Sequence, residues 1–298
     1  SRGLGDVYKR QSMSIPQILD GAMGTELQNR GISIPLPLWS ANANIEHPQI
    51  VMDIHADYIQ AGCDIITTNT FRSTFYTYRK ADFGSLKSKE LSRLSLYKAV
   101  ECANKVAINS TEVAGSLTTI DDCYTPNAYP GRSVAEDTYG QSIEWLLDAG
   151  VDILLFETMG NVEEILCGLD MAIDCKVPIW LSLIMKDETH ILDNTPIQKV
   201  FKLIEPYQIE CLMMNCNQMY STFNSIQSLL NNWHGKWGIY PNLATSDFDN
   251  EYLTIIDKSD FKNSISKLCD YKPDVIGLCC GSTPENINEL TKLINKSK

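Results

Sequence analysis

The sequence predicts an α/β fold, specifically a (β/α)8 TIM barrel in a single domain, on three observations. Eight short, β-rich apolar runs alternate with amphipathic helical patterns from one end of the chain to the other. Most of these runs are near-continuously apolar, the pattern of parallel strands covered on both faces. No Gly-x-Gly-x-x-Gly fingerprint follows the first strand, which weighs against the rival open, doubly wound sheet. The 298 residues also leave room for the roughly 250 that eight βα units need.

The first strand is expected at residues 17–20 and the second at 63–69, closing a run that starts at Cys63. The third (112–116) and fourth (151–157) follow, the latter reading Asp-Ile-Leu-Leu-Phe. The fifth (179–185) and sixth (210–215) are apolar almost throughout, and the seventh (237–241) and eighth (274–279) complete the set. After His47-Pro48, Val51, Ile54, Tyr58 and Ile59 keep a helical stripe. A second helix runs over 89–107, with Leu91, Leu94 and Tyr97 on one face. Others follow at 134–149, 161–174, 196–207, 225–233, 261–270 and 284–295. Asn161 before Val162, Thr195 before Pro196 and Ser282-Thr283 before Pro284 are helix starts. Gly150 after Ala149 is a helix stop. Residues 124–132, containing Pro and Gly, read as a long irregular loop.

Apolar residues make up 44% of the chain, enough for a sizeable core, and the net charge is −12. An acidic chain lacks the basic face that nucleic-acid binding needs. No apolar run reaches the roughly 18 residues of a membrane span, and no signal-peptide core opens the chain. A reducing, cytoplasmic setting is therefore expected for its ten cysteines. Cys63, Cys102, Cys167, Cys175, Cys211 and Cys269 lie in or beside apolar segments and read as unpaired structural thiols. Cys123 receives no role. Residues 1–12 have no apolar period and Met13 looks like a natural start. A disordered or non-native leader is expected there, with the barrel over 13–298.

A barrel carries its active site at the C-terminal ends of its strands. Asp20-Gly21-Ala22, Thr67 to Phe71, Glu157-Thr158, Asn215-Cys216, Tyr240-Pro241-Asn242 and Cys279-Cys280 all fall there. Three thiolates at one rim make a zinc site with one tetrahedral position open, as catalytic zinc requires. Gly281 supplies the flexibility for adjacent cysteines to ligate together. A lone Cys-Cys pair also fits two buried thiols, and Cys216 at the same rim favours the metal. Asp20 and Glu157 fit a general acid/base pair, an ammonium-binding pair or ordinary loop acids. The backbone N–H groups at Gly21-Ala22 and the Thr70 hydroxyl suit a substrate carboxylate. The four histidines are dispensable, with His47 at a helix start and His55 on a helix face.

In order along the chain, Leu19-Asp20-Gly21-Ala22-Met23-Gly24-Thr25-Glu26-Leu27, Trp39-Ser40 and the run from Glu46-His47-Pro48 to Ala61-Gly62-Cys63-Asp64-Ile65-Ile66-Thr67-Thr68-Asn69-Thr70-Phe71 resemble motifs of the homocysteine S-methyltransferase family. Gly115-Ser116-Leu117, Glu157-Thr158, Asn215-Cys216, Tyr240-Pro241-Asn242 and Cys279-Cys280-Gly281-Ser282-Thr283-Pro284 continue the resemblance, which covers residues 17–293. It implies an S-methyltransferase that converts homocysteine to methionine. Cys216, Cys279 and Cys280 would ligate Zn²⁺, and these same cysteines would serve catalysis through the metal-activated thiol. Asp20 and Glu157 would hold the homocysteine ammonium, and Gly21, Ala22 and Thr70 its carboxylate. Trp39 would line the donor side, with Tyr76 a further aromatic there. The methyl donor would be S-methylmethionine, S-adenosylmethionine, betaine or a methylated folate acting through cobalamin. A stand-alone enzyme with a small cationic donor is the expectation, because the chain ends without folate or cobalamin modules. The alternative is a subunit of a split cobalamin/folate system. A zinc barrel hydrolase or lyase and a non-catalytic amino-acid-binding barrel are the more distant alternatives. Two positions depart from the family pattern: Leu278 stands where a second Gly is common, and Leu243-Ala244-Thr245-Ser246-Asp247 follows Asn242.

Overall fold

The computed structural model describes residues 15–108, 110–245 and 254–296. The leader expected at 1–12 lies outside the described residues, as do positions 246 and 247.

Eight strands form one sheet in the order β1-β8-β7-β6-β5-β4-β3-β2, with every neighbouring pair parallel. They are β1 (Gln17–Ile18), β2 (Ile65–Thr67), β3 (Glu112–Leu117), β4 (Ile153–Met159), β5 (Ile179–Leu183), β6 (Ile209–Gln218), β7 (Lys236–Asn242) and β8 (Val275–Ile276). The ring closes where Leu19 bridges Ile65 and the Asp20 N–H reaches the Ile65 carbonyl at 3.1 Å.

The helices lie between the strands. After β1 come α1 (Met23–Asn29), α2 (Ala43–Glu46) and α3 (Pro48–Ala61). After β2 come α4 (Phe75–Lys80) and α5 (Ser85–Val106). One helix follows each later strand: α6 (Arg132–Ala149), α7 (Val162–Ala172), α8 (Ile197–Ile204), α9 (Met219–Leu230), α10 (Lys258–Asp270) and α11 (Pro284–Lys296). Asn161 caps α7 by accepting from the Glu164 N–H at 3.1 Å, and Gly150 ends α6 with φ 84°. Helix α9 begins at Met219, ahead of the expected 225. Its buried stripe of Met219, Thr222, Ile226 and Leu229 starts there. Helices α1, α2 and α4 are too short for a periodic pattern to reveal.

Period-2 alternation sorts the strand side chains into two cores. Leu19, Ile65, Ile153, Leu155, Trp180 and Met213 are among those filling the barrel interior. Leu154, Phe156, Leu181, Leu212 and Ile239 face the helices. At the N-terminal rim, the carboxylates of Asp64, Asp152 and Asp274 accept the backbone N–H groups of Ile18, Val113 and Trp237 at 2.8, 2.8 and 3.0 Å. These contacts join neighbouring strands at the rim away from the catalytic-type residues. The six apolar-segment cysteines are unpaired, as expected. His47 precedes α3 as its N-cap, and His55 is fully buried on that helix, where burial lowers its pKa to about 4.

Candidate active site

The polar residues expected at the C-terminal rim come together at the barrel mouth through the same alternation. Glu157 keeps the inward parity of Ile153 and Leu155, and Cys279 packs on the interior core. Leu278, between Gly277 and Cys279, is 2% exposed and belongs to the outer core. Its side chain therefore points away from the mouth, and this departure from the family pattern leaves the site untouched.

Two strands deviate from regular pairing where they enter the site. The β4–β5 register shifts between Phe156 and Met159, and the β6–β7 register shifts between Asn215 and Gln218. Bulges re-aim side chains in this way beside active sites. Thr158 (φ 58°) and Cys216 (φ 55°) sit in these breaks with left-handed backbone, which is costly for a β-branched residue. Asn215 holds Thr158 in place. Its Oδ1 accepts from the Thr158 N–H at 2.9 Å and from the Ser182 hydroxyl at 2.7 Å, and its Nδ2 donates to the Thr158 hydroxyl at 2.8 Å.

The sulfurs of Cys216, Cys279 and Cys280 lie within 4.8 Å of one another. Cys216 and Cys279 are joined as a disulfide in this structure, and Cys280 is free. The Cys279 and Cys280 sulfurs are 3.9 Å apart. A tetrahedral metal with sulfur ligands at about 2.3 Å sets its ligands about 3.8 Å apart. The adjacent pair therefore fits a metal as it stands, and the trio is metal-competent once the disulfide is reduced. Gly281 makes the turn after the pair at φ 79°, which glycine adopts without strain. Its N–H is held by the Thr25 hydroxyl at 3.0 Å. Burial pushes the Cys280 thiol up to about 11, against a lowering hydrogen bond from Tyr124.

Asp20 is buried, with both carboxylate oxygens on Thr67: one accepts the backbone N–H at 2.8 Å, the other the hydroxyl at 2.9 Å. Burial raises its pKa to about 8 despite these bonds, and repulsion from Glu157 adds to the rise. Glu157 accepts from the Ser116 hydroxyl and, at 3.4 Å, from the Tyr240 hydroxyl. Burial lifts it to about 7, with both bonds opposing. Among the described residues no salt bridge reaches either carboxylate. Two desolvated carboxylates that repel each other form a place for a cation.

The other expected site residues are close by and already hydrogen-bonded. The Ala22 N–H donates to the Ser282 hydroxyl at 3.0 Å. Gly21 packs so tightly that a Cβ there would stand 2.6 Å from the Ser282 oxygen and 2.8 Å from the Tyr58 ring. The Thr70 hydroxyl donates to the Ser116 carbonyl at 2.7 Å. Trp39 (φ 49°) lays its indole on Gly24, just beyond β1. Tyr76 is turned to the Asp121 carboxylate at 2.8 Å. Thr67, Ser116, Asn215, Tyr240 and Ser282 were not assigned roles from the sequence. Thr67, Ser116 and Asn215 continue the inward parity of the interior residues Ile65, Ala114 and Met213, and Tyr240 is itself an interior residue, which is the signal that marks them.

The homocysteine S-methyltransferase family profile matches residues 17–294. The chain belongs to the homocysteine S-methyltransferase family. It is therefore an S-methyltransferase of the (β/α)8 class. The homocysteine S-methyltransferase of Escherichia coli (strain K12) is 30% identical to it, over 92% of this chain and 93% of the relative. The crystal structure of the E. coli homocysteine methyltransferase in its oxidised form superposes with a TM-score of 0.81 at 26% identity, covering 94% of this chain and 96% of the other. The metallated form of the same enzyme superposes with a TM-score of 0.80 at 25% identity and the same coverage. The relative has thus been solved in both oxidised and metallated forms.

Proposed function

We propose that this protein transfers a methyl group from a sulfonium or quaternary-ammonium donor to the thiol of homocysteine, giving methionine, with zinc held by Cys216, Cys279 and Cys280. One observation carries this reading: three sulfurs within 4.8 Å share a barrel mouth with the uncompensated pair Asp20 and Glu157. The pair suits the ammonium of an amino acid, and the sulfurs suit a thiophilic metal beside that amino acid's own thiol. An all-thiolate set fits zinc chemistry at sulfur better than a hydrolytic site, which more often uses His or carboxylate ligands.

When bound, zinc serves as a Lewis acid that keeps a thiol, ordinarily near pKa 8.5, deprotonated at neutral pH. Asp20 and Glu157 orient the amino acid by its ammonium. The Ala22 N–H and the Thr70 hydroxyl take its carboxylate by exchanging their bonds to Ser282 and Ser116. Trp39 offers an aromatic face to the donor cation, an attraction of about 0.5–2 kcal/mol. In the transfer, the S–CH₃ bond forms as the donor's bond to that methyl breaks. The leaving thioether or amine keeps the electron pair, and the acceptor thiol has lost its proton.

The test is a panel of methyl-labelled donors (S-methylmethionine, S-adenosylmethionine and betaine) offered with homocysteine to the reduced, zinc-loaded protein. Labelled methionine is expected by mass spectrometry from at least one donor. Zinc-loaded protein that gives none from any donor contradicts the assignment.

A further inference from the structure

We propose that Asn217 is a positioning residue for the metal-ligand cluster, whose side-chain amide carries strand pairing past the break in β6 and so fixes the direction of the Cys216 sulfur. The proposal rests on the metal reading above and adds to it a residue outside the ligand set.

Pairing on β6 fails where its ligand sits. The register with β5 ends at Met214, opposite Leu183. The register with β7 breaks after Asn215 and resumes at Gln218. Among the described residues, Cys216 and Asn217 are thus matched to no residue of either neighbouring strand. Cys216 also has a left-handed backbone at φ 55°, so regular strand pairing does not set where its side chain points. The Asn217 side chain fills the gap. Its Oδ1 accepts from the Met185 N–H at 2.9 Å, and its Nδ2 donates to the Met185 carbonyl at 2.7 Å. Met185 lies two residues beyond the end of β5. One amide side chain therefore gives the backbone there both the acceptor and the donor that a paired strand would give it.

The anchor is itself fixed. Met185 is buried and opens an excursion, residues 185–196, in which it bridges Ile191 while His190 bridges Pro196. The excursion is tied on both flanks. On one, the Asp193 N–H donates to the Gly160 carbonyl at 2.9 Å, and the Asp193 carboxylate accepts the Val162 N–H at 2.6 Å. On the other, the Ser225 hydroxyl donates to the Asp187 carbonyl at 3.2 Å. Asn215, on the other side of the ligand, is bonded to Thr158 and Ser182. Cys216 is therefore suspended between two asparagines, each tied to neighbouring backbone without any metal. A ligand held in advance spares the metal the cost of ordering it. Supporting residues around a metal site are typically worth about 10- to 100-fold in affinity.

The test uses the full chain, reduced and metal-free under anaerobic conditions, as wild type and as Asn217→Ala. Asn217→Ser, neutral and too short to make both bonds, is made alongside and carries the test if the Ala variant does not fold. Zn²⁺ affinity is measured by chelator competition and Co²⁺ binding by the thiolate-to-cobalt absorption band. The variant is expected to bind Zn²⁺ about tenfold more weakly and to shift the cobalt band. An affinity or a band equal to wild type overturns the proposal, even where the thermal midpoint of the metal-free protein falls, because Asn217 then serves only to hold the excursion. A wild-type protein that shows no thiolate–cobalt band overturns the metal reading itself, and this inference with it.

Discussion

Asp20 and Glu157 carry the clearest chemical instruction at the scale of single residues. Burial, together with mutual repulsion in the case of Asp20, lifts them to about 8 and about 7. At pH 6 both therefore hold protons in the substrate-free protein. A bound ammonium favours their ionised forms, so binding at that pH expels protons, and the release fades above pH 8, where both are already charged. Calorimetry with methionine, which carries the amino-acid head but no thiol, checks this in buffers of different ionisation enthalpy. Net proton release at pH 6 is the expected result. Glu157→Gln should diminish the release and weaken binding about 10- to 100-fold, as losing a hydrogen bond to a charged group does. Binding without proton release, and untouched by the substitution, counts against an ammonium site.

The breaks in β4 and β6 do at the level of elements what regular strands cannot. A parallel strand continued through Glu157 or Cys216 would keep alternating, whereas the register shifts and the left-handed Thr158 and Cys216 turn the chain into the mouth. The Asn215 side chain makes three hydrogen bonds that hold Thr158 in its costly conformation. Asn215→Ala is expected to destabilise the protein by about 1–3 kcal/mol, because it leaves buried partners unsatisfied. Adding Thr158→Gly should return about 1 kcal/mol by removing the left-handed penalty. Urea denaturation checks both, and an unchanged midpoint in Asn215→Ala removes Asn215 from this role. None of this was legible in the sequence, because a bulge leaves the apolar pattern of its strand intact. The inward parity of Glu157 and Cys279 was legible, since their strands alternate from a recognisable core. The same parity turns Leu278 outward, a fact hidden as long as the motif is read as a string.

Across the whole molecule, the barrel divides its labour between its two ends. Aspartates tie neighbouring strands at the N-terminal rim, while cysteines and carboxylates converge at the other. The eight βα units and the six strand ends that carry the site were readable from apolar runs and caps. The short helices α1, α2 and α4 were not, since fewer than two turns or so give no period. The course of the loop after β3 was not readable either. It is set by contacts of Ile120, Asp121 and Asn161 with distant parts of the chain, and no local pattern encodes those. The convergence of Cys216, Cys279 and Cys280 from strands far apart in sequence is the feature on which the functional reading depends. Its most direct test is a zinc titration of the reduced, metal-free protein, with methionine formation from homocysteine followed at each step. Activity should rise with occupancy and level off at a single zinc per chain, and Cys216→Ala should abolish both binding and turnover. Turnover that persists in metal-free protein, or stoichiometric zinc binding that survives loss of Cys216, would contradict a three-cysteine catalytic centre.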